Sequence, residues 1–471
     1  KGKGGKGGKG YDCEEPDTPA PVRLPGSGVP SPTVFPSPTI SVSPTKFISP
    51  PPSASPTNSC GLTDVDRIEG IREIVSTVSD LNDVDTFGTP QNLAFTWLIS
   101  ENPGDQFVCP QTRRVVKQRY ILGVVYFSTD GDNWSRCSRG STICRNNNNL
   151  PFEPFLSNRN VCLWFGISCL DGAITEVILG GRNFVGANGD IPPEIFFLPQ
   201  VREINFDGSR NQSERRRLSG KIPPEIGNAA LLEELDLDRN ELTGEIPDEI
   251  FDNIALRVLD LDNNMLTGII PDRFDELDGL VFLTIGNNMY DSQPMPESIS
   301  QLQRLRSLGL QDSSLVGEIP ASYSNLINLD ALDLGNNELE GSIDVIDNYP
   351  GLISLSVNDN SFDGDVPQSL WNNKNMQVID LENNAFTGAI SINVGQMVGL
   401  QTLRLAGNDF TGAIPVELGN LENLTLLTLE GNNFDAGSFV PEEVCTNNPS
   451  RLVVTIDASI SCPGRCCTIV P

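Results

Sequence analysis

Histidine is absent from all 471 residues, and this gap removes more chemistry than any other feature of the chain. No Ser-His-Asp or Cys-His catalytic arrangement can be assembled, and no imidazole is available to hold a catalytic metal. The chain also lacks a phosphate-binding P-loop, a dinucleotide fingerprint and the kinase signatures. A paired-carboxylate glycosidase survives these exclusions, but carboxylates on a repetitive surface are ordinarily solvated, so the expectation is a protein that is not an enzyme. Apolar runs stay short of the roughly 18 residues that cross a bilayer, which predicts no membrane insertion. Cysteine is missing from Asp171 to Val444.

The middle of the chain holds a repeated sentence instead. Its cleanest copy fixes Leu232, Leu235, Leu237, Asn240, Leu242, Gly244, Ile246 and Pro247, in the pattern L-x-x-L-x-L-x-x-N-x-L-x-G-x-I-P. The asparagine slot returns at Asn264, Asn288, Asn337, Asn360, Asn384, Asn408 and Asn432, with Ser313 in its place between Asn288 and Asn337. A period of about 24 residues means a solenoid, because one unit cannot bury its own apolar face and must stack on copies of itself. Leu235 and Leu237 flank Asp236 with the period of a strand buried on one side, so stacked copies make a parallel sheet. An asparagine column can close the hydrogen bonds of turns that would otherwise be buried unpaired. Gly244 permits a tight turn and Pro247 fixes the return path.

This pattern resembles the plant-type leucine-rich repeat. The resemblance implies an α/β repeat fold, a right-handed solenoid of about 11 units. The segment Cys162-Leu-Trp-Phe-Gly-Ile-Ser-Cys169 resembles the N-terminal cap of such proteins, which implies a Cys162–Cys169 bridge with Trp164 covering the first coil. Cys137 and Cys144, at the same spacing, suggest a second local bridge. Together with the helices upstream, the chain is similar to secreted or surface leucine-rich repeat proteins of diatoms and related algae. Five regions follow: an arm at 1–60, a helical cap at 61–129, a cysteine-containing cap at 130–172, the solenoid at 173–441 and a disulfide-rich cap at 442–471.

The remaining cysteines fit that plan. Cys13 and Cys60 lie in the arm and Cys109 in the helical cap, while Cys445, Cys462, Cys466 and Cys467 would close the far end. Thiols gathered at the open ends of an elongated body indicate an oxidising, extracellular or cell-surface setting. Zinc on Cys462, Cys466 and Cys467 is the competing reading. Because 11 is odd, one thiol stays free or bridges to another chain. A start at Lys1 rather than methionine points to a processed product.

The net charge of -30 is uneven: residues 1–60 carry +2 and the remainder -32. Such an acidic body repels nucleic acid and anionic membranes and favours cations or basic segments. The arm opens with a tract of lysine and glycine from Lys1 to Gly10 that cannot form a core. It continues with Ser-Pro recurring at Ser31, Ser37, Ser43, Ser49 and Ser55. Polyproline II has three residues per turn, so this six-residue period returns every serine to one face. The arm is similar to the Ser/Thr/Pro stalks of mucins and of hydroxyproline-rich wall glycoproteins, which implies O-glycans on those serines.

In the helical cap, Ile68, Ile71, Ile74, Val75 and Val78 recur at spacings of three and four. Thr89-Pro90 has the form of a helix start, and a third helical segment begins at Thr112. N-glycosylation sequons lie at Asn133, Asn211 and Asn423. On the sheet, Asn205 and Asp207, Asp236 and Asp238, and Asp260 and Asp262 form two exposed acidic columns. Strands stand about 4.8 Å apart, so these carboxylates crowd and invite calcium or a lysine-rich segment such as Lys1 to Lys9 of another copy.

Two functions follow. The first is an extracellular structural or adhesive glycoprotein whose arm joins copies of itself into a surface layer or fibril. The alternative is a receptor-like ectodomain whose concave face binds a peptide or glycan of another extracellular protein.

Overall fold

The computed structural model describes residues 58–100, 108–134, 137–139, 141, 144–145, 151–180, 189–208, 217–447, 452–462 and 466–470. Residues 1–57 of the arm, with the five Ser-Pro serines and the Lys-Gly tract, and Asn211 lie outside the described residues.

Each coil is built from the slots named above. Around the strand Glu234–Asp236, the side chains of Leu232, Leu235, Leu237 and Leu242 are fully buried and Ile246 nearly so. Leu235 is in register with Ile204 on one side and Leu259 on the other, so the parallel partners of a strand are the coils before and after it. The result is a 14-stranded sheet whose order follows the chain. Its first pair, Ile167–Leu170 and Ala173–Ile178, is antiparallel, and every later pair is parallel.

The asparagine slot works as a ladder. Asn240 Oδ1 accepts from Leu218 N of the preceding coil, and its Nδ2 donates to Phe206 O, Leu237 O and Asp238 O. Asn264, Asn288, Asn337, Asn360, Asn384, Asn408 and Asn432 each accept from a backbone N–H of the coil before in the same way. Ser313 breaks the run: its hydroxyl donates to Gln311 O inside its own turn at 3.2 Å and bridges no coils. The residue just before each rung takes a left-handed backbone, with φ between 48° and 56° at Arg239, Asn263, Asn287, Asp312, Asn336, Asp359 and Asn383. Asparagine, aspartate and glycine tolerate that region, so Arg239 is the outlier of the column.

Opposite the sheet, Pro247 precedes a single 3-10 turn, Asp248–Asp252, and buries Ile250 beneath it. Proline holds the equivalent position at Pro223, Pro296, Pro320, Pro367 and Pro415. Its fixed φ suits the start of a helical turn, and its missing N–H would have had no partner there.

Ahead of the solenoid come four helices, α1 (Asp64–Val75), α2 (Leu81–Asp85), α3 (Pro90–Ile99) and α4 (Arg113–Ser128). Sequence periodicity predicts three; α2 is too short to show one and is held by Asp80, whose side chain accepts from Asn82 N. At the head of α3, Thr89 Oγ1 accepts from Asn92 N at 3.1 Å. The helices join the first coils through rings and one acid. Trp164, fully buried, meets Trp97 of α3 at 6.0 Å and Phe155 at 5.2 Å between ring centroids. The Arg119 guanidinium of α4 lies 5.1 Å from the Trp97 ring and 5.4 Å from that of Trp164, and donates to Ser157 O and Arg159 O. Buried Glu194, at the first 3-10 turn of the solenoid, accepts from Ser79 Oγ and Gln91 Nε2.

Among the described residues five disulfides close the ends: Cys60–Cys109, Cys137–Cys144, Cys162–Cys169, Cys445–Cys466 and Cys462–Cys467. The last two consume the sulfurs that the zinc reading required. Cys60 and Cys109 had no assigned partner, since spacing alone does not choose among many pairings. Their bridge spans 49 positions, and opening so long a loop in the unfolded chain costs the fold about 4 kcal/mol by loop-closure entropy. Replacing both by serine should therefore lower the urea midpoint of helix loss markedly, while the same change at Cys137 and Cys144, a loop of seven, should lower it less.

Candidate functional site

The sheet brings Asn205, Asp236, Asp260 and Thr284 into one cross-strand row, because these residues are directly paired in register. Two positions further along each strand, Asp207, Asp238 and Asp262 form the second column. Sequence alternation predicts that all six acidic-patch residues are exposed. The structure corrects this: Asn205, Asp207, Asp236 and Asp238 are buried, at 5–9% exposure, and Asp260 and Asp262 are half-buried. Neighbouring coils sink each carboxylate between the next ones. The approach is close enough that a Cβ added at Gly180 would stand 2.1 Å from Asp207 Oδ1.

The first column has a local duty. Asp236 Oδ1 accepts from Asp238 N at 3.3 Å and Asp260 Oδ1 from Asp262 N at 3.2 Å. The same bond recurs from Asp333 to Gly335 N and from Asp380 to Glu382 N. Aspartate recurs there because it closes the turn that leads out of the strand. The second column has no such task. Asp262 Oδ1 accepts from Asn287 Nδ2 and Gln311 Nε2. Asp238 Oδ2 lies 2.6 Å from Arg239 Nη2, which also stands 3.6 Å from Asp207 Oδ2. Asp238 Oδ1 is buried with no hydrogen-bond partner among the described residues.

Burial pushes the Asp238 carboxyl up to about 9, reinforced by the charges of Asp260, Asp236 and Asp207 and opposed by Arg239. Burial and the Asp236 charge push Asp260 up to about 7. Both groups stand above the ordinary 3.8, so their stabilising contribution is complete below about pH 4 and is lost as pH rises through 7 and 9. With no added cation, the urea midpoint should fall between pH 5 and pH 9. Asp238→Asn should flatten the upper part of that fall, and an unchanged slope in the variant would refute the assignment.

A second acidic group, which sequence reading missed, sits further along the same face. Arg404 Nη1 donates to Asp380 Oδ2 at 2.9 Å and its Nη2 lies 3.2 Å from Glu382 Oε2. Register would have found it, since Asp380 and Arg404 occupy the same row as Asp236. Arg239 was missed too, although an arginine in a slot otherwise held by Asn, Asp and Gly is a visible signal. Beside the acidic row runs a mixed one: half-buried Val258 and Phe282 pair directly, and further along half-buried Ala331, Val378 and Leu426 alternate with Ser307, Ser354 and Thr402.

The sequons are dispersed. Asn133 and Asn423 are exposed and lie on different elements, Asn423 donating to Val398 O at 2.8 Å. No helix among the described residues is long and apolar enough to cross a membrane.

The fold is a leucine-rich-repeat solenoid, and family models described as leucine rich repeat match residues 230–289 and 399–421. The repeats are of the plant type. The leucine-rich-repeat ectodomain of the Arabidopsis receptor kinase HAESA, solved with an N-terminally extended IDA peptide hormone, is 25% identical with a TM-score of 0.56. That match covers 65% of this chain and 49% of HAESA's. The plant peptide hormone receptor RGFR1, in complex with RGF2, is 27% identical with a TM-score of 0.47, over 59% of this chain and 46% of that one. Receptor-like kinase TMK4 of Arabidopsis thaliana is 28% identical over 92 residues, 20% of this chain and 9% of its own length. The chain thus spans less than half the length of each of these relatives.

Proposed function

We propose that this protein is an extracellular recognition module whose concave sheet binds an extended segment of another protein. The observation that carries the reading is the outward face of the sheet. Its Val258, Phe282, Ala331, Val378 and Leu426 are half-buried rather than covered, and Asp238 Oδ1 has no hydrogen-bond donor among the described residues. Side chains that stacking does not require are free to select a partner. The likeness to the HAESA ectodomain, solved with a peptide hormone, supports the same use of the face. Binding, and no catalysis, is the activity assigned; glycans at Asn423 and Asn133 belong to the same extracellular reading.

Assembly of copies through the arm is the weaker reading. It rests on the Ser-Pro period and on the contrast between a basic arm and an acidic body, and the similarity to receptor ectodomains favours recognition. The test is a random peptide library displayed against the whole chain, with bound peptides photo-cross-linked and mapped. Cross-links on the row from Val258 to Leu426 are expected. Cross-links confined to the 3-10 turns, or particles that grow with concentration and bind no peptide, would overturn the proposal.

A further inference from the structure

We infer that the hollow between the turns Asp344–Asn348 and Gln368–Asn372, on the side opposite the sheet, binds a neutral sugar unit. This goes beyond the recognition reading, uses none of the concave face, and stands or falls separately.

The hollow comes from an irregularity of the repeat. The rungs Asn337 and Asn360 stand 23 positions apart, one fewer than Asn360 and Asn384. The short coil also lacks its proline: Ile343 precedes the 3-10 turn Asp344–Asn348, where Pro320 and Pro367 precede the turns on either side. In the next coil the turn Gln368–Asn372 is α-helical, and an α-helical turn is wider than a 3-10 one. Two unlike turns do not nest, and a cavity of about 470 Å³ opens between them. That volume falls in the range, roughly 300–1,000 Å³, of sites that take small ligands.

The lining supplies the chemistry. Buried Ile346, Tyr349, Leu352 and Leu370 lie at the base, and exposed Asp347, Asn372, Lys374 and Asn375 stand round the mouth. Bonds between the coils hold this rim in place. Asn373 Nδ2 donates to Leu352 O at 2.8 Å, and its Oδ1 accepts from Asn375 N at 3.0 Å. Ser369 Oγ donates to Asp347 Oδ1, and Asn372 Oδ1 accepts from Asn393 Nδ2 at 2.8 Å. Four rim groups remain without a partner among the described residues: Asp347 Oδ2, Asn372 Nδ2, the Lys374 ammonium and the Asn375 amide.

These groups define the ligand. An ammonium only donates, a carboxylate only accepts, and an amide does both. A net charge on the ligand would be repelled by Asp347 or by Lys374, so the match is neutral. A compact neutral frame that donates and accepts at several neighbouring points is a polyol. One that also turns an apolar C–H face to the base is a sugar ring.

The test is saturation-transfer NMR on the full chain. The probes are glucose, galactose, mannose and xylose, their methyl glycosides, alanine as a zwitterion, and a Ser-Gly-Ser tripeptide blocked at both ends. At least one sugar should receive saturation from the protein. A free sugar that outdoes its methyl glycoside marks a soluble ligand, and equal transfer marks the end of a glycan chain. Lys374→Ala combined with Asn375→Ala should weaken that sugar about tenfold, the loss of two exposed hydrogen bonds. Both side chains are exposed, so the variant should fold, which an unchanged circular-dichroism melt checks. Asp347→Asn should leave sugar affinity within about threefold, because the amide still serves Ser369 and a hydroxyl, whereas a zwitterion would lose its carboxylate partner. Asn325→Ala, an exposed asparagine that ends the 3-10 turn Ala321–Asn325 outside the lining, should change nothing. Transfer to no sugar, sugar binding unaltered in the double variant, or stronger transfer to alanine or the tripeptide would each overturn the inference. None of these outcomes bears on peptides that cross-link to the concave sheet.

Discussion

Asn264→Ala is expected to lower stability by about 3–5 kcal/mol, among the largest effects of any single substitution outside the leucine core. Asn264 Oδ1 accepts from Leu242 N at 3.0 Å, and its Nδ2 donates to Leu237 O at 2.9 Å, Leu261 O at 3.1 Å and Asp262 O at 3.3 Å. Leu237, Leu242 and Leu261 are fully buried, so water cannot replace the lost partner without opening the turn. Each buried group left unpaired costs about 1–3 kcal/mol. Asn264→Asp makes a sharper test. It keeps the acceptor for Leu242 N but turns a carboxylate oxygen toward three carbonyls, and it should be at least as damaging at neutral pH. Urea unfolding followed by circular dichroism reads both. A loss below about 1 kcal/mol for the alanine variant would mean that the rung is dispensable.

Trp164→Ala is expected to cost a similar amount, about 3–5 kcal/mol, but to act at the junction of helices and solenoid. The indole is fully buried among Trp97, Phe155 and the Arg119 guanidinium. Burial already pulls Arg119 down to about 10, and its head is kept there by the carbonyls of Ser157 and Arg159. Removing the ring beneath it leaves a cavity beside a buried cation, so the loss should fall toward the upper end of that range. Limited proteolysis should cut the region of α1 to α4 first in the variant, with the later coils still protected. Trp164→Phe should restore most of the protection, since it keeps an aromatic face. Uniform sensitivity along the chain would show that the helices are not held through this residue.

Much of this architecture was legible because it repeats. Leu235, Leu237 and Asn240 recur at a fixed spacing, and a spacing near 24 leaves stacked strands as the way to bury the leucines. The cap of α3 was equally readable, since Thr89 and Pro90 act on their own turn. What the sequence hid were quantities that depend on the next coil. Asp207 and Asp238 alternate as surface residues do, yet Gly180, Arg239 and the adjacent carboxylates bury them. The duty of Asp236 toward Asp238 N was hidden for a related reason, because an outward aspartate looks the same whether it closes a turn or awaits a ligand. The Cys60–Cys109 bridge joins segments 49 residues apart, and no local pattern connects them.

The serine at position 313 gives the column of coils a seam. In a stacked array, stability is close to a sum of unit and nearest-neighbour terms, so a missing rung is felt at one interface and hardly beyond it. The Ser313 hydroxyl bonds within its own turn, whereas the Asn288 rung before it and the Asn337 rung after it each reach back a coil. Pulled from its ends, the solenoid should part first between these two rungs. It would then yield two blocks, one holding the acid-rich row with Arg239 and the other holding Arg404, each still wound.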